Sequence, residues 1–67
     1  MADTPQTIRE AMTSAGVTQT ALAERLGLTQ PAVSARLAGR TPITVDELQI
    51  IADALGVEPA DLLGRAA

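Results

Sequence analysis

The polar and ionisable side chains of this 67-residue chain are of types that favour binding over catalysis. The sequence has no His and no Cys, and its Ser residues lie in no nucleophile motif. Two carboxylates stand side by side at Asp46 and Glu47, where helix capping explains them better than general acid–base catalysis. A glycine-rich phosphate loop is absent as well. We therefore expect no enzymatic activity, no metal site, no cofactor and no small-molecule ligand.

Charge is unevenly distributed along the chain. The net charge of −3 argues against non-specific attraction to nucleic acid, which grows with clustered cationic groups. From residue 16 to residue 45, however, a single acid accompanies three arginines, Arg25, Arg36 and Arg40. The remainder of the chain after this segment carries five acids and one Arg. The middle of the chain is thus locally basic, and the C-terminal part is acidic.

Composition indicates one small domain over residues 1–67. Hydrophobic residues make up 46% of the chain and aromatic residues 0%, so the core would consist of aliphatic side chains and Met. A chain this short buries only about 60% of its unfolded surface, and self-association would add stability. No apolar run approaches the ~18 residues of a membrane helix, and the start of the chain does not have the pattern of a signal peptide. We expect a soluble, cytoplasmic protein with no membrane partner.

Helix starts are marked by a pattern that occurs three times. In each case an apolar residue precedes a Thr, and a second apolar residue follows four positions after that Thr. The hydroxyl can accept a hydrogen bond from an unpaired amide, while the apolar pair fixes the entry angle of the chain. The threonines are Thr18, Thr29 and Thr44, and Glu47 adds a capping box to the third. A further helix start is indicated by Thr4-Pro5.

Glycines mark the helix ends, because Gly readily takes the left-handed conformation that terminates a helix. They stand at Gly16, Gly27, Gly39, Gly56 and Gly64. No segment alternates in the manner of a strand. The sequence therefore predicts an all-α fold with five helices, at about 5–15, 18–26, 30–38, 45–55 and 59–63.

Each predicted helix carries one apolar stripe, and together the stripes can close a single core. Ile50 lies beside the stripe of the fourth helix. The apolar residues assigned to the stripes are Ile8, Ala11, Met12, Ala15, Leu22, Ala23, Leu26, Val33, Leu37, Leu48, Ile51, Ala52, Leu55, Leu62 and Leu63.

The second and third predicted helices are joined by only three residues, Gly27, Leu28 and Thr29. A short turn that begins with Gly is typical of a helix-turn-helix, although any compact helical hairpin could contain one. The spacing alone leaves these two interpretations open.

The residues from Thr18 to Ser34, TQTALAERLGLTQPAVS, resemble the lambda repressor-like helix-turn-helix family of phage and bacterial regulators. The resemblance covers about residues 6–63, nearly the whole chain. It implies a compact five-helix domain that binds DNA. Beyond the first stretch it continues through residues 39–42, 46–48 and 51–57.

The resemblance implies that Gln19 and Gln30 contact DNA. In the family, the Gln at the start of the second helix contacts a backbone phosphate, and here that residue is Gln19. The Gln that opens the third helix reads a base edge or braces the phosphate-bound Gln, and here that residue is Gln30. An amide can pair with adenine through two hydrogen bonds, and helix N-termini attract phosphate. The alternative for Gln19 is an ordinary solvated position, and the capping residues Thr18 and Thr29 join the candidate DNA-binding set.

The outward face of the third helix is plain, because Val33 and Leu37 are expected to point inward. Pro31 stiffens the first turn, where no intrahelical hydrogen bond is lost. Pro31 and Ala35 could also contact thymine methyl groups. Ser34 matches a Ser that is common in the family and can bond phosphate, a base or its own backbone.

Two arginines belong to the same candidate surface. Arg36 departs from the family, which usually has an apolar residue there; its guanidinium could reach a phosphate or a guanine, or pair with Glu24. Arg40 and Thr41 occupy a loop that usually touches the DNA backbone, and we expect Arg40 to contact a phosphate.

A second departure from the family lies at the start of the fourth helix. Family members often have basic or amide side chains there, facing the DNA, whereas this chain has Asp46 and Glu47. The two carboxylates suit the helix dipole but would repel a phosphate in front of them. The departure bears on the strength of binding more than on the fold.

The sequence thus predicts a transcriptional regulator, expected to be a repressor that binds an operator in double-stranded DNA. The third helix would enter the major groove, and a homodimer would bind two half-sites of a palindrome about 34 Å apart. Because the family often dimerises through its last helix, we expect the interface at Val57, Leu62 and Leu63. The acidic net charge and the alanine-rich third helix leave one alternative open, a module of the same fold that binds a protein partner.

Overall fold

The computed structural model describes residues 3–63, which contain four α-helices and one short 3-10 helix. No strand occurs within the described residues, so the predicted all-α fold is confirmed. None of the helices in this range is long and apolar enough to cross a membrane. The elements are α1 (Thr4–Ala15), α2 (Gln19–Leu26), α3 (Gln30–Leu37), α4 (Val45–Leu55) and the 3-10 helix (Pro59–Leu62).

The fifth predicted helix differs from the prediction in type. It is a 3-10 turn over Pro59–Leu62 rather than an α-helix over 59–63. The Asp61 amide donates to the Glu58 carbonyl at 2.9 Å, and the Leu63 amide donates to the Ala60 carbonyl at 3.3 Å. A segment this short cannot offset the cost of nucleating an α-helix, so the tighter three-residue hydrogen bonds close it instead.

The three predicted threonine caps are confirmed. Thr18 and Thr29 each accept, through Oγ1, the amide hydrogen bond of the third residue along, at 3.1 and 3.3 Å. The Glu47 amide donates to Thr44 Oγ1 at 3.1 Å and the Thr44 amide donates to the Glu47 carboxylate at 3.0 Å, which completes the predicted capping box. The first helix is capped by Asp3, whose carboxylate accepts an amide hydrogen bond at 2.8 Å.

The turn between α2 and α3 depends on the conformation of Gly27. Its φ of 69° lies in the left-handed region, which side chains with a Cβ rarely adopt. This conformation lets the Leu28 amide donate to the Ala23 carbonyl at 2.9 Å, so that the end of α2 is closed while the chain reverses. The turn is therefore short enough to hold α3 directly against α2.

The end of α3 differs from the prediction by one residue. Ala38 keeps a right-handed conformation but lies beyond the last helical residue, Leu37, and Gly39 then takes a φ of 80°. The Arg40 amide still donates to the Ala35 carbonyl at 2.9 Å, so the loop stays attached to the helix it leaves. The predicted helix end at Gly64 lies outside the described residues.

One hydrophobic core joins all five elements. Ala11, Leu26 and Leu48 are half-buried against it, whereas the predicted inward residue Ala15 is exposed. All of the buried residues belong to the set predicted from helical spacing. They are Ile8, Met12, Leu22, Ala23, Val33, Leu37, Ile51, Ala52, Leu55 and Leu62.

The interface predicted at the C-terminal end of the fold is wrong for Leu62. This side chain is only 1% exposed, because it packs the 3-10 helix onto α1 and α4 and forms part of the core. Val57 is half-buried against the same core. Leu63, by contrast, is 55% exposed and does not fill the core as its helical spacing suggested.

Candidate nucleic-acid interface

The orientation of α3 is fixed by its buried face. Val33 is 2% exposed and Leu37 is 3% exposed, and both lie in the core. Leu28, in the turn before the helix, is half-buried against the same core. Because residues four apart share one face of a helix, burial of this pair turns the opposite face of α3 to solvent.

The starts of α2 and α3 are joined by their first residues. Gln30 Nε2 donates a hydrogen bond to Gln19 Oε1 at 2.7 Å. Gln30 is exposed and Gln19 is half-buried, so the pair lies at the surface where the two helices begin. The geometry matches the bracing arrangement that the sequence left open for Gln30.

Bracing does not consume the binding capacity of the two amides. A Gln side chain has two donor hydrogens and an acceptor oxygen. After the bond to Gln19, Gln30 keeps one N–H and its Oε1, which is the donor and acceptor combination that pairs with adenine. Gln19 keeps both hydrogens of its amide, which suit a phosphate oxygen.

The remainder of the outward face of α3 is small and mostly apolar. Pro31 is exposed, while Ser34 and Ala35 are half-buried. Pro31 lies in the first turn of the helix, as predicted. Within residues 3–63 the Ser34 hydroxyl has no hydrogen-bond partner, so the predicted alternative of a bond to its own backbone is not realised. This hydroxyl is therefore available to a ligand.

Arg36 forms an ion pair with α4 instead of pointing away from the domain. Its Nε and Nη2 donate to the two carboxylate oxygens of Glu47, each at 3.0 Å. Its Nη1 donates to the Ala32 carbonyl at 3.0 Å. The suggested salt bridge to Glu24 is thus wrong, because Glu47, on the neighbouring helix, takes the guanidinium in a two-pronged contact.

The same pair governs the charge at the start of α4. The pKa of Glu47 is lowered below its ordinary value of 4.5, mainly by the hydrogen bonds from Arg36. Burial acts in the opposite direction and raises the pKa, whereas the hydrogen bond from the Thr44 amide lowers it further. The pKa of Arg36 is raised in return. Glu47 therefore stays ionised with its charge offset by a neighbour. Asp46 is exposed and has no partner among the described residues.

The loop after α3 contains a second arginine, which differs from Arg36 in having no side-chain partner within residues 3–63. Arg40 is exposed, and its side chain has no hydrogen bond or ion pair within residues 3–63. Its backbone amide is held by the Ala35 carbonyl at 2.9 Å, and the Thr41 amide reaches the same carbonyl at 3.4 Å. The loop is thus anchored while the Arg40 guanidinium remains available.

Sequence reasoning missed a contact that holds the other end of α3. Arg9, on α1, donates from Nη1 to the carbonyl of Leu37 and from Nη2 to Gln6 Oε1, the latter at 2.6 Å. A cation at the last carbonyls of a helix also interacts favourably with the helix dipole. No local signal could reveal this contact, since Arg9 and Leu37 are 28 residues apart in the chain.

Comparison with known proteins bears on the fold that carries this site. A family model described as helix-turn-helix matches residues 8–62. A search of curated proteins gives no significant match.

Three solved structures illustrate the similarity. The restriction-modification controller protein C.AhdI from Aeromonas hydrophila is 30% identical, with a TM-score of 0.81 over 90% of this chain and 91% of that one. The DNA-binding domain of the P22 C2 repressor, at 23% identity, shares the fold with a TM-score of 0.82 over 91% of this chain and 80% of that one.

The third structure is Streptomyces albus HEPD with 2-hydroxyethylphosphonate and Fe(II) bound. It is 34% identical, with a TM-score of 0.80, over 92% of this chain but only 14% of its own. The similarity therefore concerns one small unit of a much longer protein and not its iron or its substrate.

We predict that Glu47→Gln makes the stability of the fold less sensitive to acid. Because the folded-state pKa of Glu47 is lowered, its ionised form stabilises the fold above the ordinary value of 4.5, and this contribution is lost as the pH falls through the lowered pKa. Gln can still accept the Thr44 amide but cannot form an ion pair with Arg36. Thermal unfolding between neutral and strongly acidic pH measures the difference.

Asp46→Asn is the matched control, because it removes the same charge from the same helical turn and leaves the Arg36–Glu47 pair intact. Glu47→Gln should reduce the acid sensitivity of the unfolding temperature by more than this control does. If both substitutions reduced the acid sensitivity equally, a particular contribution of the Arg36–Glu47 pair would be ruled out.

Proposed function

Since the chain belongs to the helix-turn-helix family, of the lambda repressor-like type, we propose that it represses transcription by binding a palindromic operator as a homodimer. The family and the regulators among the similar structures point to a non-enzymatic, DNA-binding transcriptional regulator. Repression is supported by the P22 C2 repressor, which has the same fold. In the proposed complex α3 enters the major groove, and α2 lies across the DNA backbone.

The observation that carries the proposal is the hydrogen bond of 2.7 Å from Gln30 to Gln19. It joins the first residue of α3 to the first residue of α2, so one edge of the domain presents both helix starts. In the complex Gln19 donates to a phosphate, and Gln30 reads a base edge with its remaining N–H and Oε1. Because the pair is already braced, little side-chain freedom is lost on binding.

Phosphate contacts come from both sides of α3. Thr18 and Thr29 accept their cap hydrogen bonds through oxygen, so each hydroxyl keeps its hydrogen for a phosphate. The amides at the start of α2 favour an anion beside Gln19. Beyond the helix, Arg40 and Thr41 contact the backbone from the anchored loop, with Arg40 as the cation.

Base recognition on α3 relies on few groups. Ser34, with its unpartnered hydroxyl, is a second hydrogen-bonding residue after Gln30. Pro31 and Ala35 offer apolar surface for thymine methyl groups. With so few direct contacts, much of the selectivity comes from the shape of the DNA and from two copies reading two half-sites.

We assign Arg36 to positioning rather than to DNA contact. Three of its nitrogens already donate to Glu47 and Ala32, and its side chain is 17% exposed. Transfer of the guanidinium to a phosphate would leave the half-buried Glu47 carboxylate without its counter-charge. The pair fixes α3 against α4 and offsets the charge of one of the two acids at the start of α4.

We predict that Gln30→Ala weakens binding to the preferred operator by about 1–3 kcal/mol and relaxes selectivity at one base pair in each half-site. The measurement is selection of bound duplexes from a random pool with both proteins. The unchanged chain should enrich a two-fold symmetric site with half-sites about 34 Å apart.

Gln49→Ala is the control for Gln30→Ala, because Gln49 is also an exposed Gln but lies on α4. It should select the same sites with the same affinity as the unchanged protein. If Gln30→Ala behaved like this control, the assignment of Gln30 to base reading would be wrong. If no duplex were enriched at low salt, a module that binds a protein partner would replace the operator model.

We predict that Arg40→Ala flattens the dependence of half-site binding on salt. Each cation that neutralises a phosphate contributes about −0.9 to the slope of log affinity against log salt concentration. Loss of Arg40 should therefore change the slope by about one while weakening all sequences alike. Arg40→Lys keeps the charge and should keep the slope. A slope unchanged in Arg40→Ala would show that Arg40 makes no phosphate contact.

A further inference from the structure

An apolar groove opens where the start of α1, the loop from α3 to α4 and the start of α4 meet. Its volume is about 340 Å³, and its walls include Pro5, Pro42 and Leu48. Among residues 3–63, two large apolar side chains remain mostly exposed, Val45 at 79% and Leu63 at 55%. Both of them line this groove. The largest exposed apolar features of the described chain are thus concentrated on one face, which we call the Val45 face.

The charge of the Val45 face is unusual for this chain. None of the ten described residues that line the groove has an ionisable side chain. The chain as a whole carries a net charge of −3, so two copies repel each other overall. The groove lining itself adds no such repulsion, with Arg40 and Asp46 next to it in the chain, whereas an acidic or basic partner would gain no ion pair from the lining.

The other candidate face at this end of the fold does not share this property. Val57 lines a separate depression together with Asp53, Glu58 and Asp61. A two-fold contact centred on Val57 would place two sets of these carboxylates close together. The charge distribution therefore disfavours Val57 as the centre of a dimer and favours the Val45 face.

We propose that the Val45 face binds a second copy of this chain. An interface around a two-fold axis requires one surface patch to complement itself. The Val45 face has both a groove and projecting apolar side chains. Val45 and Leu63 of each copy can therefore enter the groove of the other copy. This inference rests on the proposed function, because it identifies where the operator-bound homodimer is joined.

The position of the face connects the dimer to DNA binding. Gly39 and Thr41 line the groove and flank Arg40, the proposed phosphate contact. A second copy bound there lies beside the loop that follows α3. The contact between the two copies therefore lies beside the Arg40 loop, which is next to the helix proposed to enter the major groove.

The size of the face sets the strength of the contact. A standard interface takes about 20–30 residues from each partner, whereas ten of the described residues line this groove. The dimer is therefore weak in free solution and forms mainly when two copies bind neighbouring half-sites. Sedimentation at high protein concentration should detect a monomer–dimer equilibrium.

Val45→Glu tests the proposal with little risk to the fold. Val45 is the first residue of α4, where an acidic side chain interacts favourably with the helix dipole. In a two-fold contact the substitution opposes two new like charges and should lower the dimerisation constant at least about tenfold. Gln49→Glu adds the same charge to an exposed site of the same helix, outside the groove, and should leave the constant unchanged.

Duplexes with one half-site and with two half-sites separate this inference from the proposed function. Val45→Glu should bind one half-site as the unchanged protein does and lose cooperative binding to two. If Val45→Glu kept both the dimer and the cooperativity, the inference would be overturned while DNA binding stood. If it lowered the unfolding temperature without changing self-association, the groove would be filled by the chain's own residues, which also overturns the inference. Dimerisation that is sensitive to Val45→Glu in a protein that binds no duplex would support the face and refute the operator.

Discussion

The burial of Val33 and Leu37 is the constraint on which the candidate interface depends. These two side chains are the only fully buried ones on α3, at 2% and 3% exposure, and they attach a helix of eight residues to the core. A helix this short has little stability of its own, so its orientation comes from tertiary packing. Once the pair is buried, helical geometry turns Pro31 and Ala35 to the opposite face. Gln30 is exposed because it is the first residue of the helix.

Polar contacts then hold α3 at three points along its length. Gln30 is tied to α2 at the start, Arg36 to α4 in the middle, and the Leu37 carbonyl to Arg9 of α1 at the end. Each contact joins α3 to a different helix, so the three together oppose rotation as well as sliding. As a result, the guanidinium groups of Arg9 and Arg36 are bound to partners within the domain and are not available for phosphate. Arg40, in the loop after α3, and Arg25, on α2, are exposed and have no side-chain partner within residues 3–63. So small a number of available cations fits a protein that recognises DNA shape better than a strongly cationic binder.

The parts of the fold that depend on local interactions could be predicted from the sequence. The Thr18, Thr29 and Thr44 caps and the Gly27 turn involve residues within a few positions of one another, and helical spacing identified the buried residues. The 3-10 conformation of Pro59–Leu62 could not be predicted in this way, because packing decides between helix types in a segment of four residues. Helical spacing placed Leu63 in the core, where it does not lie.

The candidate site was predicted less completely, for a physical reason. The types of residue at the helix starts indicated Gln19 and Gln30, and their spacing on two helices that share a short turn allowed them to meet. The partner of Arg36 could not be obtained in this way, because the geometry of α3 against α4 decides between Glu24 and Glu47. The same holds for Arg9 and Leu37, whose contact exists only after the core has formed.

The most direct test of the account follows the side-chain amide signals of the four Gln residues by NMR during titration with a selected duplex. Gln19 and Gln30 are the proposed contacts, whereas Gln6 and Gln49 are exposed elsewhere and serve as internal references. The proposed interface predicts that the signals of Gln19 and Gln30 shift strongly and those of Gln6 and Gln49 hardly at all. Saturable binding that moves Gln6 or Gln49 and leaves the Gln19–Gln30 pair unchanged would contradict it.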